Sequence, residues 1–287
     1  MIKSNYQLID SIMKNNLACS SKKNIRKICL TLDLEEDFSG RLVGYREALV
    51  RKNILILKKF LDEENVSLSI FVQGNLLSSS DFYFLNDLKS SNTEFHLHSH
   101  SHDFNLFNSE DDLDKGVKSF NLFFGYPPRG YRAPEGRISL SLLRILKKKG
   151  FLFDSSLFPT FLPNPKYYFK SRSYQKNSYL TEVAVSGLFF NLIPFSLSWM
   201  KLVGKRLFLL FFYLKLKYSS SSILVFNFHL HDLWELTSSN KLPFFWRLIF
   251  SRNKNSGFNF LRILINIAKK EDLSFELISD VTESKLN

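Results

Sequence analysis

The sequence predicts an α/β fold built on a parallel sheet. Two observations carry that prediction. Apolar runs of strand length alternate with helix-patterned segments roughly every 25–30 residues. Three of the strand-like runs also end in clusters of ionisable side chains: Asp33-Leu34-Glu35-Glu36-Asp37, His96-Leu97-His98-Ser99-His100-Ser101-His102, and His229-Leu230-His231-Asp232. The carboxyl ends of parallel strands are where α/β folds collect their chemistry. A chain of 287 residues, 45% hydrophobic and with thirty Phe, can bury a large core and is not a disordered polymer.

Taken in order, residues 1–25 are polar and read as a peripheral segment, and one domain is expected over 26–280. Ile28 to Leu32 is a buried strand ending in the acidic cluster. Residues 45–64 are helical, with Leu49, Ile54, Leu57, Phe60 and Leu61 as the apolar stripe. Val66–Val72 is the second strand, Ser80–Lys89 a short helix and Thr93–His98 the third strand. Ser109 caps a helix running to about Phe123. Gly125–Gly136 is a strand and turn fixed by Pro and Gly, Ser139–Lys149 a helix closed by Gly150, and Phe151–Ser156 a strand with a polar end. Residues 159–178 read as a long loop over one face, and Tyr179–Val185 as a strand. The apolar, basic stretch 188–217 is an insertion before the strand Ile223–Asp232. Gly257–Lys269 is an amphipathic helix, and residues 275–278 form a last strand.

The net charge of +12 raises nucleic acid as a partner, but no zinc-finger spacing, RNA-binding aromatic signature or compact basic helix accompanies it, so none is expected. Lys201, Lys205 and Arg206 instead adjoin the apolar run Leu207–Leu214, which suits contact with an anionic membrane surface or an anionic lipid-linked substrate. That run is too short to span a bilayer. Gln7, Asp10 and Lys14 interrupt any export signal. Cys19 and Cys29 lack metal or redox spacing and read as free thiols of a reducing compartment. The expected location is cytoplasmic, peripheral to the inner face of the membrane.

Four of the six histidines stand at alternate positions between 96 and 102. A continued strand places His96 and His98 on one face; a helical turn after His98 instead pairs His98 with His102. Either pair can hold a divalent metal if a carboxylate joins it. Asp33, Glu35 and Asp37 alternate and would point one way from an extended strand, raising a pKa unless a cation intervenes. Arg132, in the turn Gly130-Tyr131-Arg132-Ala133-Pro134-Glu135-Gly136, can bind and orient an ionised carboxylate, most simply Asp33. Each feature alone is an ordinary surface loop; together they describe a site.

The order of these segments resembles the polysaccharide deacetylases of the NodB-homology type, carbohydrate esterase family 4, over about residues 26–280. Thr31–Asp37 stands in the place of the acid motif. His98-Ser99-His100-Ser101-His102 matches its His-Ser/Thr-x-x-His motif, with Glu94 upstream. Gly130–Gly136 stands for the Arg-Pro-Gly turn, Gly150–Pro159 resembles the fourth motif and Leu230-His231 the fifth. The resemblance implies a distorted, seven-stranded (β/α) barrel and a hydrolase that removes an acetyl or formyl group from an amino sugar. The substrate would be a polysaccharide or a lipid-linked or nucleotide-linked precursor. It further implies a divalent metal, zinc first and cobalt, nickel or manganese otherwise, on His98, His102 and Glu35, with Asp37 the alternative third ligand. Asp33 would be the general base held by Arg132, His231 the general acid with His229 beside Asp232 as the alternative, and Asp154 an orienting group. The oxyanion would meet the metal and a backbone N–H near Tyr131. The usual adjacent acid pair is replaced here by Asp33-Leu34-Glu35. The rival reading is therefore an inactive or metal-independent sugar- or lipid-binding relative.

Overall fold

The structure is a computed structural model that describes residues 25–39, 41–42, 44–103, 105–106, 109–159, 175–176, 180–219 and 221–283. Cys19, nearly all of the expected N-terminal segment and most of the loop at 159–178 lie outside the described residues.

The chain runs β1 (Lys27–Leu34), α1 (Arg51–Glu64), β2 (Leu68–Val72), β3 (Thr93–Leu97), α2 (Glu110–Phe124), β4 (Gly130–Tyr131), α3 (Leu140–Lys148) and β5 (Phe153–Asp154). Then come β6 (Gln175–Lys176), β7 (Thr181–Glu182), β8 (Gly187–Leu188), β9 (Ile193–Pro194), α4 (Leu197–Val203) and α5 (Lys205–Tyr218). The last elements are β10 (Ile223–His229), α6 (Phe244–Ser251), α7 (Gly257–Lys270), β11 (Ser274–Phe275) and α8 (Ile278–Glu283). Seven strands run parallel in the order β10-β1-β2-β3-β4-β5-β7, as a curled half-barrel. β6 is antiparallel to β7, and β11 pairs with the start of β1. Beyond β7 the chain crosses towards the opposite edge. Val183 N donates to Asp154 O, and Ser186 N donates to Val225 O on β10.

Period-two alternation sorts the strands into two faces. Outward residues Ile28, Leu30, Leu32, Ile70, Phe226 and Phe228 pack beneath the helices in the main core. Inward residues Cys29, Phe71, Phe153, Val183 and Val225 fill the lower barrel, which Ile278 and Val281 of α8 close. One step higher, the same alternation puts Thr31 beside Asn227 and Asp33 beside His229. Polar chemistry therefore sits at the carboxyl ends, above an apolar plug.

Several expected elements shift for local reasons. The first helix starts at Arg51, not 45, because Tyr45 to Ala48 fold back onto the acidic segment: Asp37 N donates to Tyr45 O. The segment Ser80–Leu88 is a 3₁₀ helix. Ser109 caps α2 as expected, its Oγ accepting from Asp112 N at 3.1 Å. The final strand is cut to Ser274–Phe275, and Ile278 opens a helix instead. The 188–217 stretch forms the β8–β9 hairpin, α4 and α5. No helix among the described residues is long and apolar enough to cross a membrane.

This stretch is welded to the barrel by rings. Phe195 has no exposed surface, stacks on Phe208 and Phe212 of α5 at 5.8 and 5.1 Å and meets Phe226 edge-on at 4.9 Å. Phe195→Ala should cost about 3–5 kcal/mol, read as a fall in the urea midpoint without loss of far-UV signal in the folded baseline.

Candidate active site

β1 ends at Leu34, so Glu35 leaves the ladder and turns over the barrel mouth, where it meets the histidine loop that follows β3. His98 Nε2 lies 3.1 Å and His102 Nε2 2.5 Å from Glu35 Oε2. The loop is not helical; Ser99 and His102 take positive φ values of 50° and 58°. Ser99 Oγ accepts from His102 N, and Asp112 at the start of α2 accepts from His100 N and Ser101 N at 2.9 and 3.0 Å. The i, i+4 pair is thus brought together by a strained, side-chain-tied loop. His96 instead packs down into the barrel against Phe71 and Phe153, its Nε2 3.1 Å from Glu94. His100 lies against the backbone of Gly74.

The three groups fit a divalent cation. Their ligand atoms all lie within 4.8 Å of one another. His98 Nδ1 faces the Arg132 carbonyl at 2.8 Å, and a carbonyl can only accept. That nitrogen carries the proton, so in a neutral ring the Nε2 lone pair points at a carboxylate oxygen. Lone pair against lone pair calls for a positive species between them, a proton or a metal, and two-His-one-carboxylate sets suit zinc and its neighbours. Glu35 Oε1 is buried with no hydrogen-bond partner among the described residues. Burial pushes the Glu35 carboxyl up, but His102 and His98 outweigh it and hold the group well below the usual range. Asp37 does not join this set. Its Oδ2 accepts from Glu47 N at 2.6 Å and its Oδ1 from Ala48 N at 3.3 Å. Burial pushes its pKa up to about 6. The alternation of 33, 35 and 37 stops where the strand stops.

Beneath Glu35, Arg132 Nη1 donates to Asp33 Oδ1 at 2.6 Å, to Asn227 Oδ1 at 2.8 Å and to Thr31 Oγ1 at 3.1 Å. Its Nε and Nη2 donate to the carbonyl and hydroxyl of Ser155, and Asn227 Nδ2 donates to Asp33 Oδ2. Burial works against an ionised Asp33, but Arg132, then His98 and His229, lower its pKa below the ordinary value. The amides next to Tyr131 are spent: Arg132 N donates to Leu97 O and Ala133 N to Ser156 Oγ.

Across the cleft stands His229, its Nε2 3.7 Å from Asp33 Oδ2 and 3.6 Å from Glu35 Oε1. Its Nδ1 faces Asp232 Oδ2 at 3.4 Å. Burial lowers its pKa, but Asp232, Glu35 and Asp33 together raise it to about 9. Ser198 of α4 holds Asp232 at 2.9 and 2.8 Å, so the inserted stretch supports this dyad. His231, the expected acid, is turned away: its Nδ1 accepts from Phe38 N at 3.1 Å, and its ring lies against Phe38 and Phe250. Burial pushes it down to about 3. The chain enters a 3₁₀ turn at Leu230, so the two imidazoles stack at 4.9 Å, and it is His229 Nε2 that faces Asp33 and Glu35.

No protein-family model and no curated protein matches the chain. Solved structures do. A candidate polysaccharide deacetylase from Mycobacterium smegmatis superposes with a TM-score of 0.57 at 17% identity, covering 92% of each chain. A Streptococcus mutans family 4 carbohydrate esterase gives 0.51 at 12% identity over 89% of this chain and 87% of its own. A family 4 pseudoenzyme from Bacillus anthracis gives 0.51 at 12% identity over 91% of this chain and 66% of its own. The chain has the fold of the family 4 carbohydrate esterases.

Within that esterase fold, sequence reasoning missed several residues. Asn227 looked like one more core position of β10, although its inward parity with His229 was readable. Ser155, Thr31 and Ser198 carried no signal as single hydroxyls. Asp154 does not reach the cleft carboxylates. It sits beside Glu182 in the β5–β7 register, and its oxygens accept from Ser156 Oγ at 2.6 Å and Ser156 N at 3.3 Å. Both carboxyls are fully enclosed; burial raises both, and Asp154 raises Glu182 well above the ordinary range. The pair therefore holds a proton that the unfolded chain releases near pH 4 to 4.5. Above that range the native state binds more protons than the unfolded state, so this pair's contribution to stability falls as pH rises. Glu182→Gln supplies a permanent N–H donor and should remove that slope. Its urea midpoint relative to wild type should increase as pH rises above 5; a constant difference would refute the shared proton.

Proposed function

We propose that this chain is a divalent-metal-dependent hydrolase, zinc being the first candidate, that removes an acetyl or formyl group from the nitrogen of an acylated amino sugar. The observation that carries this reading is the meeting of Glu35, His98 and His102 beside an Arg132-bound Asp33 and opposite His229. His98, His102 and Glu35 would hold the ion. When bound, such an ion supplies Lewis acidity, making water a competent nucleophile near neutral pH and offsetting charge on the acyl oxygen.

This chain's own groups supply the proton traffic. Asp33, kept as a carboxylate by Arg132, accepts a proton from the attacking water at Oδ2, where Asn227 leaves lone-pair capacity. Its low pKa makes it a weak base that is always in the accepting form at neutral pH. His229, charged up to about pH 9 in the free cleft, gives its Nε2 proton to the departing sugar amine. Asp232 fixes the ring and restores its charge preference. A non-hydrolytic relative, as the Bacillus anthracis neighbour is described, would need none of this alignment.

Metal content by mass spectrometry and hydrolysis of an N-acetylated sugar separate the two readings. His98→Ala and Glu35→Ala should lose both metal and activity. Asp33→Asn should keep the metal while kcat falls about 10²–10⁴-fold. Full activity in metal-stripped His98→Ala would sink the hydrolase reading.

The leaving group tests the acid. His229→Gln should depress amide hydrolysis about 10²-fold or more and leave a phenyl acetate, whose leaving group needs no proton, nearly untouched. If His231→Gln shows that selectivity instead, the acid assignment reverts to His231.

A further inference from the structure

The rim of the cleft carries a helix that the chemistry does not use. α6, Phe-Phe-Trp-Arg-Leu-Ile-Phe-Ser, has six apolar residues in eight and none of them buried. Its inner edge packs beside the cleft: Phe250 meets Phe38 at 5.1 Å and His231 at 5.6 Å, and Trp246 lies under the Arg41 guanidinium at 4.0 Å. Its outer edge is bare, with Phe244 73%, Phe245 64% and Leu248 56% exposed. An aromatic face of this kind in water marks a contact surface.

Charge says what covers it. From Lys241 to Lys254 there are four cations and no Asp or Glu. Arg247 and Arg252 are exposed and make no ion pair among the described residues. Aromatic rings flanked by exposed arginines match the apolar-to-anionic gradient of a membrane interface. A second copy of the same basic face would be repelled, and nucleic acid would leave the Phe and Leu side chains wet.

We propose that α6 seats in the interfacial layer of an anionic bilayer and holds the mouth of the cleft at the membrane surface. The substrate class follows, a lipid-linked acylamino sugar, and that step rests on the hydrolase reading; the surface itself does not.

Vesicle co-sedimentation of the full chain tests it. Binding is expected to phosphatidylglycerol-containing vesicles, not to pure phosphatidylcholine, with release at about 0.5 M salt. Arg247→Gln with Arg252→Gln should weaken partitioning about thirtyfold. Phe244→Ser, Phe245→Ser and Leu248→Ser together should reduce it to background, with circular dichroism and hydrolysis of a water-soluble acylamino sugar unchanged. His98→Ala should bind vesicles like wild type, which separates a failed surface from a failed active site. Three results would overturn the proposal. The first is absent binding, or equal binding to neutral vesicles. The second is loss caused by Leu207→Ser and Leu210→Ser on the exposed stripe of α5 but not by the α6 changes. The third is a dimer, or salt-dependent DNA binding, that the α6 serines abolish.

Discussion

A guanidinium with no exposed surface holds the cleft together. Arg132 donates to Thr31 and Asp33 of β1, to Asn227 of β10 and to Ser155 after β5, and lies on the Phe71 ring at 4.0 Å. One planar fork therefore fixes strand ends from both sides of the half-barrel. Burying it is costly unless its N–H groups are satisfied, and here Nε, Nη1 and Nη2 all have acceptors. A buried pair of this kind adds little net stability over a well-packed apolar substitute, but it admits only one arrangement of its partners. That arrangement leaves Asp33 ionised in a place where burial alone would neutralise it.

The other acids of the region show how environment divides identical chemistry. Glu35 faces imidazoles and is held ionised. Burial works against an ionised Asp232, but the His229 side chain, then His231 and Lys201, hold it down, while Ser198 and the His229 backbone N–H fix its position. Asp154 and Glu182 are enclosed side by side, and burial raises both. Asp37 faces two backbone amides, too little to offset its burial fully. Glu36 pairs with Arg46 at 2.8 Å and ties the segment before α1 to the barrel rim. Asp33, Glu35 and Asp232 are the carboxylates of this group that face the histidines of the cleft. The remainder hold loops.

Much of the fold was legible because parallel strands buried on both faces read as continuous apolar runs, and their ends as sudden polarity. Asp33, Glu35, His98 and Arg132 were singled out for the same reason, each standing one residue from a strand's carboxyl end; His102, five residues past Leu97, was singled out by its i, i+4 spacing from His98. What failed was parity. Extrapolating the period of two past Leu34 aligned Asp37 with Glu35, whereas the preference for His231 over His229 came from the Leu-His form that the family resemblance implies. β1 ends three residues before Asp37, and β10 ends two residues before His231. Asn227 was hidden in the opposite way, a polar residue inside a run whose neighbours Phe226 and Phe228 advertise core.

The inserted stretch 188–217 is where sequence and structure differ most in meaning. Its composition pointed outward, to a surface partner, and its exposed Leu207, Leu210 and Leu214 keep that property. Its inner side points at the His229–Asp232 pair. Ser198 holds Asp232, and Lys201 donates to the Asp232 carbonyl at 3.1 Å. Lys201 is itself buried and its pKa lowered by that burial, with Asp232 opposing. α4 touches both α5 and α6, so the scaffold beneath the His229–Asp232 dyad is continuous with both exposed apolar helices. A stretch whose composition advertised only a surface thus also supports the carboxylate that faces His229.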